Sequence, residues 1–136
     1  MIRRWNPAGL APPIGQYSHL AAVSADHELV FVSGQVGVRQ DGTLAGPDAE
    51  SQTRQALANI GTLLGALGAG PAHLVKLLTL VSGTEHLEGS RAAREEVFAK
   101  WYPERDWPAH TLMVVAALAK PELTVEIEAT VAVPRR

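Results

Sequence analysis

The segment "LTVEIEATVAV", Leu123 to Val133, decides the fold class. Val125, Ile127, Ala129, Val131 and Val133 fall on one side of an extended chain, and Thr124, Glu126, Glu128 and Thr130 on the other. Strict alternation of this kind makes a strand with one face against a core. The question is what covers that face.

Working outward, the answer is two helices. Asp48 is placed to cap a long helix in which Leu57, Ile60, Leu64 and Leu67 recur at spacings of three and four, and Gly68, Gly70 and Pro71 stop it. Thr84 is the expected cap of a second helix running to about Trp101, with Leu87, Ala93, Val97 and Trp101 facing inward. Strands are expected at Ile2–Trp5, on both sides of a turn at Ala25–His27, at Leu74–Val81 and at Thr111–Leu118. Leu29–Val32 is a continuous apolar run, so a central position is expected, ending at Ser33-Gly34-Gln35, where a glycine lets backbone approach something closely. The order is β-β-β-α-β-α-β-β. Hairpins at both ends and two helices argue for an α+β domain, with the helices on one face of a mixed sheet. Leu29–Val32 and Leu74–Val81 are too apolar for a water-facing surface, so the uncovered face is expected to be buried in an oligomer.

Composition limits the function. The 136 residues, 46% hydrophobic, suit one domain spanning 1–136. Net charge is −2, and the only basic pairs are Arg3/Arg4 and Arg135/Arg136, read as solvating the termini, so nucleic acid is not an expected partner. With no cysteine, thiol catalysis and disulfides are excluded. The five histidines show no metal-ligand spacing, so no metal is expected. No apolar run is long enough to span a membrane, the N-terminal stretch lacks the apolar core of a signal peptide, and a cytoplasmic location is the expectation.

Four stretches could converge at sheet ends: "IGQYS", "SGQV", "WPAHT" and "VEIEA". Glu126 and Glu128 point the same way, roughly 7 Å apart by strand rise. Paired carboxylates suit proton transfer, though a solvated pair gives the same pattern. In "WPAHTLMVV", Trp107 to Val115, His110 sits at a strand mouth, where side chains often meet ligands.

Jointly these stretches resemble the Rid (RidA/YjgF) family. The resemblance is carried by "PPIGQYSHL" (Pro12 to Leu20), "VFVSGQV" (Val30 to Val36), "QTRQALANI" (Gln52 to Ile60), "LVKLLTLV" (Leu74 to Val81), "PAHT" (Pro108 to Thr111) and "VEIEATVAV" (Val125 to Val133). It implies a chorismate-mutase-like fold and a homotrimer with inward-facing sheets and small-molecule clefts between subunits. It also implies hydrolysis of reactive enamines or imines to a 2-oxo acid and ammonia, with no cofactor. Glu126 matches the glutamate that positions water and passes a proton, Tyr17 a pocket tyrosine, and Ser33 and Gly34 a cleft-lining loop. Thr111 replaces a small polar residue. His110 stands where the active subgroup has an arginine that grips the substrate carboxylate. Histidine lacks the fork and the fixed charge, so altered specificity or ligand binding without turnover is implied. Arg91, near the start of the second helix, is a candidate to restore the charge; a solvated pair with Glu95 is the alternative.

Overall fold

The computed structural model describes residues 2–136. Six strands and two helices follow one another as β1 (Ile2–Trp5), β2 (Leu20–Val23), β3 (His27–Val36), α1 (Ala49–Ala66), β4 (Leu74–Ser82), α2 (Leu87–Trp101), β5 (Ala109–Val115) and β6 (Val125–Pro134). β3, β6, β4 and β5 form one sheet in that order, and β1 pairs with β2 as a separate two-stranded ribbon.

β6 runs antiparallel to both β3 and β4, whereas β4 and β5 are parallel. β3-α1-β4 and β4-α2-β5 are therefore two strand–helix–strand crossovers, the first straddling β6. Both helices lie on one face, as expected from the mixed α+β reading. The alternation in β6 holds: Val125, Ile127, Ala129 and Val131 are buried beneath the helices with Leu77, Val81, Ala56, Leu57, Ile60, Leu64 and Phe98.

The helix ends follow from local chemistry. The Asp48 side chain accepts from the Ser51 N–H at 2.8 Å, the expected cap. At the other end Gly68 takes φ +64°, its N–H donates to the Gly65 carbonyl, and the Ala69 N–H donates to that of Leu64. That left-handed closure suits glycine. Between the helices, Thr53 donates to Ser90 at 3.0 Å in the buried seam. Gln52, fully buried, joins three segments: its Nε2 donates to the Gly46 and Glu122 carbonyls, and its Oε1 accepts from the Thr124 N–H.

Five expectations are corrected. β3 is an edge strand, not a central one; its run continues through a bulge between Val32 and Gln35, and Phe31 is 76% exposed. A single edge strand can be as apolar as a central one when its outer face has another destination. The hairpins expected around Ala25–His27 and between the last two strands are absent: β2 pairs antiparallel with β1, and β3 with β6, while β4 separates β5 from β6. Thr84 begins a one-turn 3-10 segment after Gly83 at φ +102°, and α2 starts only at Leu87 with no side-chain cap. β5 is displaced toward the N-terminus, so His110 lies within it rather than ahead of it. Arg4 is not a solvated terminal residue: its guanidinium donates to the Ala72, Leu74 and Asp106 carbonyls, tying β1 to the start of β4.

Candidate functional site

Cross-strand register places His110, Glu126 and Glu128. His110 lies opposite Leu77 on β4, and Thr79 and Val81 share that side, the side under the helices. Glu126 lies opposite Leu80 and Glu128 opposite Leu78. Residues three apart on a strand point to opposite faces. Within one chain, then, His110 and Glu126 stand on opposite faces of the sheet.

On the β5 side there is a hollow of about 440 Å³, lined by Ile14, Gly15, Gln16, Tyr17, Arg94, His110, Thr111 and Leu112. Its far wall is the arm before β2. Ser18 pins that arm to the segment leading into β5, donating from its hydroxyl to the Trp107 carbonyl at 2.7 Å and from its N–H to that of Pro108. The Tyr17 hydroxyl accepts from the Ile14 N–H at 3.3 Å, and its ring meets His19 edge-on. Tyr17, His110 and Thr111 thus converge as three of the residues singled out in the sequence.

His110 Nε2 is 2.8 Å from Thr79 Oγ1, and its ring is tilted against Phe98. Burial pushes the imidazole down from its ordinary 6.5 to about 4, and the positive charges of Arg94 and Lys76 act in the same direction. At neutral pH His110 is an uncharged hydrogen-bonding group.

The cation in the hollow is Arg94, which sequence reading passed over. Arg91 is exposed on α2 and bound to Glu88, one turn back, rather than to Glu95. Arg94 sits four residues from both Ser90 and Phe98, on the inward stripe of α2. A charge placed at that spacing among buried positions is the signal that could have found it.

The second cluster lies on the open face. Gly34 packs against Glu126 so closely that a Cβ there would collide with the carboxylate. Ser33 is exposed beside it, its carbonyl accepting from Gln35 Nε2. Glu126 has no hydrogen-bond partner among the described residues. Leu78, Leu80, Phe31 and Met113 share this uncovered face by register. Among the described residues no group of His, Asp or Glu is arranged to hold a metal, and no helix is long and apolar enough to cross a membrane.

Comparison with known proteins gives a consistent picture. The family model for Endoribonuclease L-PSP matches residues 9–133. The human 2-iminobutanoate/2-iminopropanoate deaminase is 31% identical over 131 residues, covering 95% of this chain and 89% of that protein. The chloroplastic Reactive Intermediate Deaminase A of Arabidopsis thaliana is 34% identical over 113 residues, 82% of this chain but only 54% of that longer protein. A crystal structure of a Rid-family protein of unknown function from Yersinia pestis, YyfB, superposes with a TM-score of 0.84 at 34% identity, covering 97% of this chain and 98% of the other.

Proposed function

Because the chain belongs to the Rid (RidA/YjgF) family, we propose that it takes a reactive enamine or imine, or a related small metabolite, into the hollow between Tyr17 and His110 and hydrolyses it to a 2-oxo acid and ammonia. The observation that carries this reading is a hollow of metabolite size walled by Tyr17, His110 and Thr111 in a chain whose relatives include an iminobutanoate deaminase. Water adds to the imine carbon, the C–N bond breaks, and nitrogen leaves as ammonia while the carbonyl forms. Glu126 positions that water and passes its proton to the departing nitrogen; Ser33 and Gly34 shape the wall beside it.

His110 and Glu126 occupy opposite faces of one sheet, so the reading requires a second copy. We place the working cleft between subunits of a homotrimer whose open sheet faces turn inward. Leu29, Phe31 and Met113 are exposed on that face and Leu78 and Leu80 lie on it between them, and an apolar surface spread across an uncovered sheet favours association.

The test uses an amino-acid oxidase to generate imines in situ. Faster ammonia release than buffer, lowered about 100-fold or more by Glu126→Gln, is the expected result. Release no faster than buffer across a broad imine panel sinks the catalytic reading. A neutral His110 without a guanidinium fork favours one second reading, binding without turnover. Ligand-dependent thermal shifts with no product would establish it.

A further inference from the structure

Arg94 is a cation without an anion. The other arginines of the helical layer are paired, Arg91 with Glu88 and Arg54 with Glu50 and Glu96. Arg94 has neither a hydrogen bond nor an ion pair among the described residues, and it is half-buried. Its guanidinium is depressed by burial, opposed by Glu95 and reinforced by Arg91, yet an arginine does not give up its proton in a protein. Among the described residues it is the one charged side chain lining the hollow, and it also borders the narrow space behind His110 against Phe98 and Thr79. A partly desolvated guanidinium with its donors unused is poised for an anion that fits its fork.

We propose that Arg94 anchors the carboxylate of the ligand in this hollow, from helix α2 rather than from strand β5. This deepens the reading of the hollow as the ligand site and rests on it. It makes the ligand a small monocarboxylate. Of the described residues that line the hollow one is a cation, and Lys76, which acts on His110 from β4, borders a neighbouring depression instead, so one carboxylate is matched within the hollow. Arg94 lies toward the helices, so the carboxylate points inward under α2, and the reactive carbon is left nearer the rim at Thr111.

Binding is measured by calorimetry on the full chain, with 2-oxobutanoate and its neutral amide as probes. The wild type is expected to bind the acid at least about tenfold more tightly than the amide. Arg94→Gln should remove that preference and leave amide binding unchanged, and Arg94→Lys should retain part of it. Arg91→Gln should match the wild type, and adding His110→Arg to Arg94→Gln should recover the acid. Melting curves check each variant, and Arg94→Lys serves if Arg94→Gln does not fold. A wild type that treats acid and amide alike or binds neither overturns the proposal, as does an Arg94→Gln protein with undiminished preference for the acid. Failure of the imine assay with an intact Arg94-dependent preference removes turnover and leaves the anchor. Turnover with an unchanged KM in Arg94→Gln does the reverse.

Discussion

His110 Nε2 and Thr79 Oγ1 are 2.8 Å apart on neighbouring parallel strands, under α2 and against Phe98. The bond holds the imidazole in an environment that disfavours its charged form. The folded protein therefore takes up this proton only near pH 4, whereas an unfolded chain takes it up near 6.5. Between those values the unfolded state binds more protons, so stability falls as pH falls through the window. The loss attributable to His110 is on the order of 2 kcal/mol. Urea unfolding at pH 7 and pH 4.5 should show a smaller pH-dependent loss in His110→Gln than in the wild type. Equal losses would remove His110 as the source.

Gly34 and Glu126 make a second prediction, one that separates site from scaffold. The nearest atoms that a methyl at position 34 would meet are Oε2, Cδ and Cγ of the Glu126 side chain, not backbone. Gly34→Ala should therefore cost under about 1 kcal/mol, because the carboxylate swings away. Displacing it should lower imine hydrolysis by about tenfold or more. Melting temperature and ammonia release, measured on the same preparation, check both halves. A large drop in stability with activity per folded molecule intact would contradict the assignment.

The buried Gln52 behaves in the opposite way. Gln52→Leu keeps the volume but leaves the Thr124 N–H and the Gly46 and Glu122 carbonyls without their partner. Each orphaned group costs about 1–3 kcal/mol, and solvent reaching the loop carbonyls offsets part of this, so a total of roughly 2–4 kcal/mol is expected. Chemical denaturation measures it. A change within about 0.5 kcal/mol would mean that these groups find other partners.

The contrast between these residues explains what could be read from the chain alone. β6 was legible because its period sets side-chain direction without help from distant residues, and Asp48 because a cap acts within one turn. The neighbours of β6 were not legible. Pairing with β3 on one side and β4 on the other is a long-range choice, and Leu29–Val32 looks the same in a centre as at an edge. The same limit hid the division of the site. "PAHT" and "VEIEA" can be placed at strand ends from local patterns, but that Leu77 faces His110 while Leu80 faces Glu126 depends on register. Arg94 was hidden differently: "SRAAREEVF" carries four charges, and only the packing of α2 sets Arg94, on the inward stripe, apart from the exposed Arg91, Glu95 and Glu96.

Phe31 provides the test of assembly. It is 76% exposed in one chain and shares the open face with Thr130, its partner across β6. An aromatic ring on a bare sheet face contributes little to a lone chain but anchors an interface when a second sheet covers it. The wild type should therefore sediment at three times the 14.5 kDa of one chain. Phe31→Glu would bury a carboxylate at each contact and should shift the mass toward a single chain at micromolar concentration, with the far-ultraviolet spectrum unchanged. Its imine hydrolysis should fall in step with the loss of assembly, because the proposed cleft takes His110 from one copy and Glu126 from another. A wild-type mass equal to one chain, or a monomeric Phe31→Glu protein with full activity, would leave each chain to work with its own two faces apart, and the shared cleft would have to be abandoned.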